Sequence, residues 1–229
     1  MDTIEAIILG IVQGLTEFLP VSSSGHLQIA KALMGVEIEQ NLLFDVTLHA
    51  ATVLSTIVVL WSEVARLLRG LFSRRFNEEQ AYVLKLLLSM IPIGIVGFTL
   101  KDRLDALLES PAILLVVGCM LLVTAALLAF AYYAKPRQKA QLSYRDAFLI
   151  GVAQAVAALP GLSRSGSTIA TGLLLGNRKQ TVAQFSFLMV LAPILGETFL
   201  ELMKGNLGAQ AIGSAPLAAG FVAAFVVGC

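Results

Sequence analysis

Glu17 is a carboxyl set in an apolar segment, four positions after Gln13, so both side chains project from one helix face just before Pro20. An ionisable group within a membrane segment is energetically expensive and is a functional-site hypothesis by default. The residues that follow, Pro20-Val-Ser22-Ser23-Ser24-Gly25-His26, place three hydroxyls, a glycine and an imidazole at the start of a returning helix. The free N–H groups of such a helix start favour an anion, and His26 can take or give a proton near neutral pH. A second polar stretch, Pro160-Gly-Leu-Ser163-Arg164-Ser165-Gly166-Ser167-Thr168, sets a guanidinium among hydroxyls and glycine-freed amides. That set meets the needs of a phosphate or diphosphate, which are fixed positive charge and two-pronged hydrogen bonding. Each group also has a plainer reading: helix capping for the serines, a hydrogen-bonded buried imidazole for His26, and a purely structural ion pair for Glu17 with Arg164.

The two polar stretches resemble each other. A constant offset of 141 residues superposes Gln13 on Gln154, Ser22 on Ser163, Ser24 on Ser165 and Gly25 on Gly166. The same offset carries Phe44 onto Phe185 and Ala51 onto Ala192, so the match runs into the next apolar segment. Polar backbone broken by proline and glycine is tolerated at membrane depth only inside protein or beside a water-filled cavity. Paired interrupted segments in corresponding halves point to a shared binding site, so the two stretches are expected to face each other.

Composition supports that setting. The chain has 229 residues, 57% hydrophobic and 14% charged, with a mean hydropathy of +0.84. Soluble domains carry about 25% charged residues, so an all-α polytopic membrane protein is expected. A net charge of +1 argues against nucleic acid as a partner. Two cysteines, Cys119 in an apolar run and Cys229 at the end, suggest small hydrophobes rather than a disulfide or thiolate site. The opening Met1-Asp-Thr-Ile-Glu5 lacks a basic n-region, so no cleaved leader is expected.

Stretches 42–62, 82–100, 111–134 and 181–203 have the length of a membrane span, and 215–229 begins another. Segments 4–19 and 27–35 flank the first polar stretch, and 147–159 and 167–176 flank the second. Each pair is expected to be a re-entrant hairpin with its polar tip near the midplane. One integral domain, 1–229, then divides into a first repeat over about 1–134, with hairpin 4–35, and a second over about 147–229, with hairpin 147–176. By repeat logic the second copy lacks the end of one span and all of another. The loops 63–80, 135–146 and 177–180 hold most of the lysine and arginine, so they are expected in the cytoplasm. The other side carries Lys31, Lys101, Arg103 and Lys204 mixed with Glu37, Glu39, Asp102, Asp105 and Glu109. Three spans between the hairpins invert the second copy relative to the first. Among the remaining polar residues, Asp45 and His49 share a helix face and read as an interfacial pair rather than metal ligands. Glu197 and Glu201 read as a solvated helix end, and Gln154 as the group that orients the second tip.

At Gln13-x-x-x-Glu17, Pro20-Val-Ser-Ser-Ser-Gly-His26 and Pro160-Gly-Leu-Ser-Arg164-Ser-Gly166 the chain resembles the undecaprenyl-diphosphate phosphatase family of the BacA/UppP type. The likeness covers essentially the whole length. It implies an inverted-repeat membrane fold with two re-entrant hairpins, located in the bacterial plasma membrane with its active site open to the outer face. The implied activity is hydrolysis of undecaprenyl diphosphate to undecaprenyl phosphate and inorganic phosphate. That reaction recycles the lipid carrier of peptidoglycan synthesis and confers bacitracin resistance. It implies catalytic roles for Glu17, Ser23, His26 and Arg164. Phosphate binding falls to Gln13, Ser22, Ser24, Gly25, Ser163, Ser165, Gly166 and Thr168. A divalent cation, Mg²⁺ or Ca²⁺, is implied as cofactor, with Glu17 as its ligand. Position 13 is Glu in many members and Gln in others, so here Glu17 carries the negative charge alone. Members continue beyond the position of Cys229, so the chain resembles a truncated one. A homodimer is the one assembly left open besides contact with membrane lipid. The alternative reading is a transporter or flippase for a lipid-linked or anionic substrate, which could share this architecture. A carrier, however, needs no nucleophile and base. Whether Ser23 attacks directly or orients a water stays open at this point.

Overall fold

The computed structural model describes residues 1–36, 42–108, 110–133, 139, 141–203 and 213–229. Glu37, Glu39, Glu109 and Lys204, and the side chains of Lys101, Asp105, Glu197 and Glu201, lie outside that description, so the readings placed on them do too. The described residues form helices α1 (Thr3–Phe18), α2 (Ser23–Met34), α3 (Leu42–Val59), α4 (Trp61–Leu71), α5 (Glu78–Thr99) and α6 (Lys101–Leu108). They continue as α7 (Ile113–Tyr133), α8 (Tyr144–Val156), α9 (Arg164–Leu174), α10 (Lys179–Met189), α11 (Leu191–Met203) and α12 (Ser214–Gly228). Among these residues no strand forms beyond one isolated bridge between Lys139 and Asn177. Three stretches, Glu78–Thr99, Ile113–Tyr133 and Lys179–Leu200, are long and apolar enough to cross a membrane, and α3 with α4 is a further, bent candidate.

Matching positions in the two halves start and stop their helices by the same devices. Asp2 caps α1 and Ser143 caps α8, each in a capping box with the acid three residues on, Glu5 and Asp146. Ser22 and Ser163 cap the returning helices α2 and α9 by accepting from the amides of Gly25 and Gly166. Gly35 and Gly176, with φ of 69° and 90°, follow the second arms in a left-handed conformation that favours glycine. All of these pairs are related by the sequence offset.

Packing repeats as well. One core gathers Ala6, Leu9, Phe44 and Leu48, and the other gathers Ala147, Ile150, Phe185 and Met189 at the corresponding positions. Helix α1 lies along α12 and α8 lies along α5. Gly10 and Gly151 make these approaches close: a Cβ at either would run into the backbone carbonyl of Gly220 or Ser89. Backbone-to-backbone contact of this kind is how helices associate where lipid removes the hydrophobic drive.

Two stretches read from the sequence take a different local form in the structure. Stretch 181–203 overlaps the candidate span Lys179–Leu200, as expected, but its helix breaks at Val190, because Pro193 has no N–H to donate to the Met189 carbonyl and its ring crowds that position. Stretch 63–80 is not simply a loop: α4 occupies Trp61–Leu71 after a 79° bend from α3. Cys119 is exposed on α7, within the apolar run. The bend before α4 leaves no composition signature, since it is set by packing.

Candidate active site

The two helix–turn–helix tips meet. Gly25 stands against Gly161 of the opposite tip, where a Cβ would lie 3.2 Å from its Cα. Gly166 stands against Pro20, 3.0 Å from its carbonyl oxygen on the same construction. Helix α7 underpins both, with Val117 touching the Gly25 and Gly161 positions and the Thr124 hydroxyl accepting the Ser163 amide at 2.9 Å. Glycine at 25, 161 and 166 is therefore required by the closeness of the two backbones.

That contact brings Glu17 and Arg164 together. Arg164 Nη2 donates to Glu17 Oε1 at 2.5 Å. The other carboxylate oxygen, Oε2, accepts from Ser23 Oγ at 2.5 Å and from Gln13 Nε2 at 2.9 Å. Charge-assisted bonds of this kind are short and strong, and stronger where water is scarce. Ser23 can face Glu17 because Ser22 takes φ 70°, a left-handed conformation that is strained for a non-glycine residue. The equivalent Ser163 has φ −67° and turns without that strain. A narrow cleft opens over the pair, lined by Glu17, Arg164, Ser165, Thr52, Thr56 and Ser186.

The remaining expected residues divide into those at the cleft and those behind it. Ser165 lines the cleft and its Oγ is 3.4 Å from the Leu19 carbonyl across the tip. Ser24 is exposed, 3.4 Å from Ser22 Oγ. Ser22, Gly25, Ser163 and Gly166 are buried in the two caps. Thr168 is buried with its hydroxyl 2.6 Å from Ser186 Oγ and 2.9 Å from the Arg164 carbonyl, so it braces α9 on α10. His26 donates from Nδ1 to the Ser22 carbonyl at 2.8 Å and makes no hydrogen bond to Glu17 or Ser23 among the described residues. The expectation that Gln154 orients the second tip fails: both amide atoms are buried without a hydrogen-bond partner among the described residues.

His49 and Thr52 belong to this centre and were not expected there. His49 Nε2 lies 3.9 Å from Glu17 Oε2, with its Nδ1–H donating to the Asp45 carbonyl at 2.8 Å. Thr52 Oγ1 accepts from Gln13 Nε2 at 3.3 Å. Asp45 does not form an interfacial pair with His49 but binds the fully buried Lys31, at 2.6 and 2.7 Å. The available signal was a polar stripe on one face of an apolar span: Asp45, His49, Thr52 and Thr56 recur at i, i+4, i+7 and i+11.

No cluster of three His, Cys, Asp or Glu side chains fit to hold a metal occurs among the described residues. The donors present still fit a hard cation. Gln13 Oε1 is a buried carbonyl oxygen with no donor among the described residues, one helical turn from Glu17. Mg²⁺ is commonly held by one or two protein oxygens together with substrate phosphates.

Apolar helices of spanning length around a partly buried acid, hydroxyl and guanidinium define a mostly helical integral membrane protein with a polar centre. Residues 6–229 match the model of the family described as bacitracin resistance protein BacA, and the chain belongs to that family. It is 62% identical to a protein of Parabacteroides distasonis and 60% identical to one of Bacteroides fragilis, in each case over the whole chain and 86% of the relative. A protein of Bacteroides thetaiotaomicron is 58% identical over the whole chain and 87% of the relative. All three relatives bear the name undecaprenyl-diphosphatase.

Proposed function

We propose that this chain hydrolyses undecaprenyl diphosphate to undecaprenyl phosphate and inorganic phosphate, recycling the lipid carrier of cell-wall synthesis. Family membership supports the activity. The observation that carries the mechanism is the Glu17 carboxylate shared between the Ser23 hydroxyl and the Arg164 guanidinium.

Phosphoryl transfer is mostly positioning and charge neutralisation. Arg164 uses one nitrogen on Glu17, and its remaining donors, with Ser165, receive the terminal phosphate. Ser23 Oγ already donates its proton to Glu17, so the carboxylate takes that proton as Oγ attacks the terminal phosphorus. The bond from that phosphorus to the bridging oxygen breaks, and undecaprenyl phosphate leaves with the electron pair. Water then attacks the phosphoserine, the phosphorus–Oγ bond breaks, and Ser23 recovers a proton. His26, held through Nδ1, presents Nε2 as the acid/base partner of this second step. His49 and Gln13 hold the Glu17 carboxylate in place. A divalent cation would be held by Glu17 and Gln13 Oε1, and would neutralise charge on the diphosphate oxygens.

The shared caps, glycines and cores at offset positions support an inverted repeat, with hairpins 4–35 and 147–176 as re-entrant arms of a single domain. Under that reading the first hairpin enters from outside, the basic loops are cytoplasmic, and the cleft opens to the outer face of the plasma membrane. The prenyl tail runs between spans into lipid, which is why this phosphatase is membrane-embedded.

Purified protein in detergent, given undecaprenyl diphosphate and Mg²⁺, is expected to release inorganic phosphate. Ser23→Ala is expected to lose that release and any acid-stable phosphate label on the chain. A wild-type protein that releases no phosphate overturns the activity, and near-normal turnover by Ser23→Ala overturns the serine route.

A further inference from the structure

Helix α4 has a second set of features that the phosphatase site does not use. It leaves α3 at a 79° bend, after 18 residues of α3. Those residues rise about 27 Å, close to the roughly 30 Å of a hydrocarbon core, so the bend falls at the membrane boundary. A helix turned that far at that depth runs along the interface instead of across it.

The sequence of α4 divides into three strips. Leu67 and Val64 pack into the second core. Trp61, Leu68 and Phe72 recur at i, i+7 and i+11, and are 59%, 50% and 84% exposed. Beside them run Ser62, Arg66 and Arg69, and Arg74 and Arg75 follow directly. Residues 61–76 thus hold four arginines against one glutamate. The corner is fixed: Asn77 Nδ2 donates to the Gly70 carbonyl at 2.9 Å, and Gln80 Nε2 donates to Leu71 and Ser73 at 3.1 and 3.0 Å. Arg66 is spent on Glu63 and Glu79 at 2.9 and 3.0 Å. Arg69, Arg74 and Arg75 form no ion pair among the described residues. An open hollow of about 560 Å³ lies against α4, lined by Trp61, Ser62, Arg66, Arg69 and Glu79.

We propose that α4 is an interfacial helix whose hollow at Trp61 and Arg69, extended by Arg74 and Arg75, takes the headgroup of an anionic phospholipid. Charge complementarity selects that occupant over a zwitterionic lipid. Three unpaired guanidiniums match phosphate oxygens in two-pronged geometry, while Trp61 and Phe72 sit at headgroup and acyl level. Each basic residue close to an anionic leaflet adds about fivefold to the preference.

Trp61 is the chain's single tryptophan, so its emission reports on this hollow alone. The protein is placed in phosphatidylcholine nanodiscs doped with acyl-brominated phosphatidylglycerol or, separately, acyl-brominated phosphatidylcholine. Quenching is expected at a several-fold lower fraction of the anionic lipid, and the difference is expected to shrink as salt rises. The triple variant R69Q/R74Q/R75Q should quench equally with both lipids, while eluting as a single species in detergent and releasing phosphate at the wild-type rate. Equal quenching of the wild type by both lipids overturns the proposal, as does no quenching by either or a preference that survives the triple substitution. Turnover is read separately, so failure here leaves the phosphatase reading untouched.

Discussion

The hairpin of the first half and that of the second are built alike and equipped differently. Positions 2 and 143, 22 and 163, and 35 and 176 play the same structural parts, and Gly10 and Gly151 make the same close approach. The chemistry sits where the copies differ: Glu17 corresponds to Ala158, Ser23 to Arg164, and His26 to Ser167. One half supplies acid, hydroxyl and imidazole, and the other supplies the cation. The two glutamines at matching positions have diverged in surroundings as well. Gln13 is bonded to Glu17 and Thr52, whereas Gln154 has no partner for either amide atom among the described residues. A duplicated frame can thus carry a single asymmetric centre, provided the tips touch.

If that division is right, the largest effects come from the positions that differ. Arg164→Ala is expected to lower phosphate release by about a thousandfold or more, the scale of an arginine that stabilises a transferring phosphoryl group. Release of phosphate, with gel filtration as the fold check, measures it. Gly151→Ala should cost roughly 1–3 kcal/mol, because its Cβ must displace the Ser89 backbone. Gly118→Ala in α7, where a Cβ meets nothing within 4 Å, should instead stabilise by up to about 1 kcal/mol. Thermal midpoints in detergent compare the two. Gln154→Leu removes a buried amide without partners and should leave stability unchanged or raise it by about 1 kcal/mol, with turnover intact. Gln13→Leu should reduce turnover, because it strips a donor from Glu17.

The smallest effect lies at the start of the second hairpin. Burial opposes the charge on Asp146, yet hydrogen bonds from Ser143, Asn177 and Lys139 outweigh it and hold its carboxyl below the ordinary 3.8. A depressed carboxylate adds stability that is present above its unfolded value and is lost as pH falls through the folded one. The stability gap between wild type and Asp146→Asn should therefore be constant from neutral pH down to about pH 4 and close below it, as read from thermal midpoints across that range.

Much of the centre was legible before any coordinates. A carboxyl and a guanidinium in apolar segments must be sheltered from lipid, and the offset between Gln13 and Gln154 says the two tips are copies, so their meeting follows. What escaped was set by neighbours in space. His49 lies far along the chain from Glu17, and reading it with Asp45 overlooked the buried Lys31 that takes that carboxylate. The stripe through Thr52 and Thr56 was visible as a period, but a short polar run at a span's end resembles an interface. The role of Gln154 was inferred from symmetry alone, and symmetry does not carry over the groups around it. The break at Val190 could have been read from Pro193. The turn at Leu60 could not, because no proline or glycine marks it.

A double-mutant cycle on phosphate release with Glu17→Gln, Arg164→Gln and the pair together tests most directly whether acid and guanidinium from opposite halves act as one unit. Each single variant should lose nearly all turnover and the double should be no worse than the weaker single, as for residues that work together. Losses that multiply in the double variant, or a single variant with near-normal turnover, would contradict a shared centre.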